Sequence, residues 1–247
     1  MSSFTGKLAF ITGSSRGIGK ATALTLAGKG AKVILHGTKQ SPALLETRDS
    51  CGSTSEYVTA DFTEADQVRA MCQDLLRRGL VPDILILNAS AQSYTALGNF
   101  DSAEFDRMYR ANVESSCIIL QELLPEMRKK NWGRILFNGS INGIKPASRL
   151  AIYGTTKAAL LNLAKTAALE NAPFNITVNT ILPGVIETDR NAEVLKDRTF
   201  ADALKEKVPM HRFGTAQECA ELFAFLASEE ASYITGAEIP IAGGLQL

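Results

Sequence analysis

Tyr153 and Lys157 stand four residues apart in Y153-G-T-T-K157, a spacing that puts both on one face of a helix. A phenol titrates at about pH 10 and is a weak acid or base near neutrality, but a neighbouring ammonium favours the phenolate and draws that value down. Such a pair can exchange a proton with an alkoxide or carbonyl oxygen while a hydride moves. Taken alone, the spacing is a common accident. Ser140, at the end of an apolar run thirteen residues earlier, adds a hydroxyl that can hold a substrate oxygen. Asn112 interrupts an otherwise apolar or small stretch, and a buried amide there needs partners.

A second constellation lies near the N-terminus. Directly after the run Leu8 to Ile11 comes T12-G-S-S-R-G-I-G19, which opens a helical pattern. Glycines at 13, 17 and 19 allow a tight turn and close backbone approach to a pyrophosphate, whose charge is favoured at a helix N-terminus. Strand before and helix after turn a weak GxxxGxG into a dinucleotide-binding signal. About 20 residues further on, an NAD site presents Asp or Glu to the ribose 2′-hydroxyl. Here the chain reads H36-G-T-K39, without a carboxylate, while Arg16 sits inside the turn. Arg16 and Lys39 suit a 2′-phosphate, so NADP(H) is preferred over NAD(H).

The same turn also spells GxSxG through Gly13, Ser15 and Gly17, the nucleophile elbow of a hydrolase. That alternative needs a downstream acid and then a histidine. Only His36, which is too early, and His211, in a long loop-like segment, are on offer.

The elements that must position these groups are legible as short apolar runs: Leu8 to Ile11, Val33 to Leu35, Ile84 to Leu87, Ile135 to Phe137 and Ile176 to Leu182. Weaker runs, Ser55 to Asp61 and Ala237 to Gly243, add an early and a last strand, and Pro240 assigns the last to a sheet edge. Helical spacing fills Gly17 to Ala27, Glu64 to Leu76, Ala103 to Lys129 and Ile152 to Glu170. This alternation predicts an α/β fold, one doubly wound Rossmann domain over residues 1–247, mainly parallel, with helices on both faces. Gly184 to Phe213 is too long for an ordinary connection and is a candidate substrate lid.

Composition narrows the partners. Of 247 residues, 45% are apolar and 21% charged, which excludes disordered and low-complexity classes. Twenty-six basic side chains balance 26 acidic ones, so no basic field gathers nucleic acid or an anionic membrane. The four cysteines form no CxxC and no export signal precedes the first strand, which points to reduced thiols in the cytoplasm. No set of residues has metal-ligand spacing.

Taken together, T12GSSRGIG19, Asp61, N88AS90, Asn112, Ser140, Y153GTTK157 and P183GVIET188 resemble the short-chain dehydrogenase/reductase family in order and spacing over almost the whole chain. The resemblance implies that Gly13, Gly17 and Gly19 cradle the pyrophosphate, with Ser15, Arg16, Ile18 and Lys39 also against the cofactor. Asp61 would meet the adenine, Asn88 the adenosine ribose, and Lys157 the nicotinamide ribose. Pro183 and Gly184 open the last motif, in which Ile186 lines the nicotinamide pocket and Thr188 binds its carboxamide. Tyr153 would be the general acid/base, Ser140 the substrate positioner and Asn112 the anchor of a water in a proton relay. Ser90 replaces the glycine usual in this family after the fourth strand, which predicts a small shift and a new contact to the cofactor ribose.

The activity so implied interconverts a ketone and a secondary alcohol, in a homotetramer packed through the two long helices. An NADP(H) sensor without turnover is the rival from another class. For the substrate, V208-P-M-H-R-F-G-T-A-Q-E218 and S232-Y-I-T-G-A-E238 resemble the branch that reduces 3-oxoacyl chains on acyl carrier protein. Phe174 stands where that branch tends to place a basic residue for the acidic carrier, leaving R128-K-K130 as a dock. That favours a small or coenzyme-linked (thioester) carbonyl substrate. Lys145 and Arg149 are solvated loop charges or receivers of an anionic group.

Overall fold

The computed structural model describes residues 3–247, apart from the side chains of residues 193–195. Strand and helix alternate through β1 (Leu8–Ile11), α1 (Gly17–Gly28), β2 (Lys32–Gly37), α2 (Pro42–Ser50), β3 (Glu56–Thr59), α3 (Ala65–Arg77) and β4 (Ile84–Leu87). Then follow α4 (Ser102–Tyr109), α5 (Ser115–Lys130), β5 (Gly133–Asn138), α6 (Ala151–Asn171) and β6 (Ile176–Pro183). The long segment beyond holds β7 (Ile186–Glu187), α7 (Asp189–Lys196), α8 (Arg198–Glu206) and β8 (Gly214–Thr215), before α9 (Ala216–Leu226) and β9 (Glu238–Ile241).

The main sheet has seven strands in the order β3-β2-β1-β4-β5-β6-β9, every pair parallel. This is the expected single Rossmann-type α/β domain, and β9 with Pro240 is an edge strand. Residue alternation along each strand divides the core between two faces. Phe10, Ile34, Leu85 and Val178 pack against Val68 of α3, Ile119 and Leu123 of α5, and Leu160 of α6. Ile11, Leu35, Ile86 and Ile181 face the other way, toward Leu26 of α1 and Phe223 of α9. Burial of each such side chain contributes about 1.5–3 kcal/mol. The strand order reverses between β1 and β4, and in open parallel sheets that switch point opens a crevice beyond the strands' carboxyl ends.

The stretch from Ala103 to Lys129 is not the one helix that its spacing predicts. A π-helical turn, Arg110–Glu114, separates α4 from α5. The extra residue in that turn brings Asn112 inward, 1% exposed, where its amide bonds Ala91 and Thr156. Helices α2 and α9 went unpredicted, although Thr215 and Glu218 form a complete capping box at the start of α9. Among the described residues no helix is long and apolar enough to cross a membrane.

Candidate active site

The glycine turn is built from both ends of the switch point. Thr12, just past β1, accepts the backbone N–H groups of Asn88 and Ala89 on its Oγ1, each at 2.9 Å, tying the carboxyl ends of β1 and β4 together. Asn88 returns its amide Nδ2 to the carbonyls of Thr12 (2.9 Å) and Gly13 (3.0 Å). Gly13 and Gly17 have φ of 63° and 55°, a region closed to most side chains. At Gly19 a β-carbon would lie 2.3 Å from the Gly13 carbonyl oxygen and 2.6 Å from Asn88 Nδ2.

His36 braces this turn from beneath. Its Nδ1 accepts the Gly13 N–H (3.1 Å), so Nε2 carries the proton and donates to the Ala60 carbonyl (3.0 Å). The ring stacks on Phe62, and burial lowers its pKa to about 4, so it is neutral. Position 36 therefore points under the turn. At the end of β2 it is Thr38 that both lines the cavity above and is exposed, whereas Lys39 lies on the exposed turn outside the cavity lining. The hydrolase alternative fails here. Both nitrogens of His36 are committed, and His211 is exposed beside Glu206, away from Ser15.

One cavity of about 1220 Å³ runs along the carboxyl edge of the sheet. It is lined by every cofactor-side residue expected from the sequence except Lys39: Gly13, Ser15, Arg16, Gly17, Ile18, Gly19, Asp61, Asn88, Lys157, Pro183, Gly184, Ile186 and Thr188. Asp61 uses one carboxylate oxygen to hold the Thr63 N–H and hydroxyl. Ser140 and Tyr153 line the other end, while Asn112 stands behind the wall. Both amide protons of Asn112 are spent, on the Ala91 carbonyl and Thr156 Oγ1 (2.9 Å each), and its oxygen accepts the Ala91 N–H. Thr156 in turn donates to the Tyr153 carbonyl, so the amide locks the loop after β4 onto α6.

Lys157 is 2% exposed and donates to the Asn138 carbonyl (2.7 Å). Asn138 Nδ2 continues the chain to Asn88 Oδ1 (2.8 Å), linking the ammonium to the glycine turn. Ser140 caps a short 3₁₀ turn, accepting the Asn142 N–H on its hydroxyl, and faces the Tyr153 phenol. Burial holds the phenol above its ordinary value, opposed by the Arg190 charge and the Ser140 hydrogen bond. Burial, with Arg190 adding to it, brings Lys157 down to about 7. The charge opposing burial at the phenol comes from Arg190, which the Tyr153–Lys157 spacing does not reveal; Lys157 Nζ lies 5.6 Å from the centre of the Tyr153 ring.

Arg190, on α7, has no local signal in the sequence. Its Nη1 and Nη2 donate to the hydroxyl (2.9 Å) and carbonyl (2.8 Å) of Ser90, the residue that departs from the family pattern. Tyr94, Phe200 and Leu204 also line this end and were not singled out from the sequence, and Arg149, one of the two loop cations weighed for an anionic group, lines it too. Lys145 instead donates to the Leu245 carbonyl (2.6 Å). Among the described residues no group of three or more His, Cys, Asp or Glu is placed to hold a metal ion.

Comparison with known proteins agrees with this architecture. The family described as enoyl-(acyl carrier protein) reductase matches residues 13–246. A 3-oxoacyl-[acyl-carrier-protein] reductase of Salmonella typhimurium is 36% identical over 245 residues, 99% of either chain. Among solved structures, a 3-oxoacyl (acyl-carrier-protein) reductase from Agrobacterium tumefaciens with NADP bound is 36% identical, with a TM-score of 0.92 and coverage of 98% of this chain and 95% of the other. The L-sorbose reductase of Gluconobacter frateurii, complexed with NADPH and L-sorbose, is 31% identical, with a TM-score of 0.93 and coverage of 99% and 98%.

Proposed function

Because the chain belongs to the short-chain dehydrogenase/reductase family, we propose that it is an NADP(H)-dependent oxidoreductase interconverting a ketone and a secondary alcohol, with Tyr153 as general acid/base. The observation that carries this reading is that Ser140, Tyr153 and Lys157 line one cavity with the glycine turn. The residues present suit the dinucleotide. Asn138 Oδ1 is buried with no hydrogen-bond partner, and Lys157 uses one of its three protons, so ribose hydroxyls would find partners there. The first turn of α1 carries no acidic side chain, leaving its N-terminus open to a pyrophosphate.

NADPH, when bound, supplies the hydride. Ser140 holds the carbonyl oxygen, and Tyr153 delivers its phenolic proton to that oxygen as negative charge develops. Lys157 orients the ribose side of the pocket and stabilises the phenolate that remains. Asn112 keeps the loop carrying Ala91 in register with α6, and Gly184 to Phe213, with α7 and α8, forms the lid. The four free cysteines fit a cytoplasmic setting, and exposed Leu169 and Phe174 fit a homotetramer packed through α5 and α6.

Preference for NADPH rests on Arg16 and Thr38 at the end of β2 and on the absence of a carboxylate there. Arg16→Ala with Thr38→Asp removes the cation and adds a repelling charge. The ratio of kcat/KM for NADPH to that for NADH is expected to invert, with the NADPH value falling roughly tenfold or more through loss of a charge-assisted contact. Equal values for the two cofactors in the unmodified enzyme would defeat the assignment.

Carrier-bound substrates are the second reading, favoured by the likeness to the Salmonella reductase. Against it, the three cations at the end of α5 are engaged. Arg128 donates to Asn171 (2.7 Å) and covers Phe174, Lys129 pairs with Glu126, and Lys130 pairs with Asp83 (2.7 Å). A neutralised cluster steers an acidic partner weakly. A 3-oxoacyl group should therefore be reduced about equally well on the carrier and on a short thioester. A large carrier advantage that disappears in Lys129→Glu plus Lys130→Glu would reverse this choice.

A further inference from the structure

Two guanidinium groups at the substrate end of the cavity are not explained by hydride transfer to a neutral ketone. Arg190 reaches from α7 to the mouth of the site, close enough to the Tyr153 phenol to act on it by charge and hydrogen bond. Arg149 lies on the loop before α6 and also lines the cavity. It is held with φ of 66°, a conformation that a non-glycine residue adopts only when its surroundings impose it. Its Nη2 donates to the Tyr94 carbonyl (3.2 Å), and its own carbonyl accepts the Thr95 N–H (2.9 Å).

Among the described residues, no carboxylate forms an ion pair with Arg190 or Arg149, in contrast to Arg107 on the same wall, which pairs with Glu104. Arg190 therefore adds a second positive charge near Lys157, with no ion-pair partner among the described residues. Its present partners show that both ends of the fork can be used at once: Nη1 and Nη2 donate to the hydroxyl and carbonyl oxygens of Ser90, and the same two donors can take a carboxylate. Two acidic side chains also line this region. Asp197 is occupied in capping α8, accepting the Phe200 N–H, and Asp189 lies in the first turn of α7. Their presence suits a singly charged group better than a phosphate dianion.

We propose that Arg190, assisted by Arg149, is an anion-receiving subsite beside Tyr153, and that the physiological substrate is an oxo acid whose carboxylate lies a few bonds from the reacting carbonyl. Arg190 exchanges its two bonds to Ser90 for the substrate carboxylate, which brings α7 and the lid down with the ligand. The inference rests on the ketone-reductase reading above and specifies its substrate class.

The test measures NADPH-dependent reduction of 2-oxobutanoate, 3-oxobutanoate and 4-oxopentanoate against their methyl esters, at fixed ionic strength. At least one acid is expected to exceed its ester about tenfold in kcat/KM. In Arg190→Met the acid-to-ester ratio should fall roughly 10- to 100-fold, chiefly through KM, as expected when a charge-assisted bidentate pair is lost. Arg190→Lys should recover part of it, since an ammonium keeps the charge and loses the fork. Arg149→Gly, which also relieves the positive φ, should lower the ratio by a smaller factor. Malonate, which has no reducible carbonyl, should inhibit the wild type competitively and lose that inhibition in Arg190→Met. NADPH binding by each variant, read from cofactor fluorescence, checks that it is folded.

Esters reduced as well as every acid, or an acid preference unchanged in Arg190→Met, would overturn the anion subsite and leave ketone reduction standing. Failure to oxidise NADPH with any acid, ester or other ketone would instead overturn the underlying reading.

Discussion

Tyr153→Phe is expected to lose about 10² to 10⁴ of turnover, the usual contribution of a positioned general acid or base, while NADPH binds almost as before. The ring remains to fill its buried place, and the proton donor is removed. The pH dependence of the unmodified enzyme follows from the same group. Since burial holds the phenol above its ordinary value, it stays protonated through the neutral range. Ketone reduction, which consumes the phenolic proton, should decline on the alkaline side as the phenol ionises, in addition to any change as Lys157 loses its proton at about 7. Alcohol oxidation needs the phenolate and should rise with pH over that same alkaline interval. Wild-type kcat in Tyr153→Phe, or a reduction rate that climbs with alkalinity, would remove Tyr153 from its role.

The second large effect is expected at Gly19. An added β-carbon would lie 2.3 Å from the Gly13 carbonyl oxygen and 2.6 Å from Asn88 Nδ2, and both atoms belong to the bonded frame that joins the turn to β4. Neither can yield without opening that frame. Gly19→Ala should reduce NADPH affinity at least about tenfold and lower Tm, because overpacking of this kind typically costs about 1–3 kcal/mol. Gly28→Ala, on the same helix with nothing within 4 Å of the new carbon, is the control and should be near neutral. Wild-type cofactor affinity in Gly19→Ala, measured by fluorescence titration, would show that the turn is not held as described.

Much of the fold was legible because its signals are local. A parallel strand buried on both faces must be a short continuous apolar run, as Ile84 to Leu87 is, and its order along the chain with intervening helices predicts the doubly wound sheet. Pro240 marked an edge because it has no N–H to give a second neighbour. The glycine turn and the Tyr153–Lys157 pair were equally visible, since their chemistry depends on spacings of a few residues.

What the sequence by itself determined, then, was the sheet, the glycine turn, and the residue types available for proton transfer. The tertiary structure decided how those groups are charged and braced. Desolvation reversed the expected electrostatics of Tyr153 and Lys157, an effect set by the depth of packing around them and not by their separation in the chain. His36 became the support of the Gly13 backbone because β2 delivers it beneath the turn. Asn112 turned inward through a π-helical turn whose other partners, Ala91 and Thr156, are supplied by distant segments. Ser90 and Arg190 meet across 100 residues, where strand order and the path of α7 bring a guanidinium to the mouth of the site. Periodicity carries no record of such a meeting, because it is made by the packing of elements and not by the residues between them.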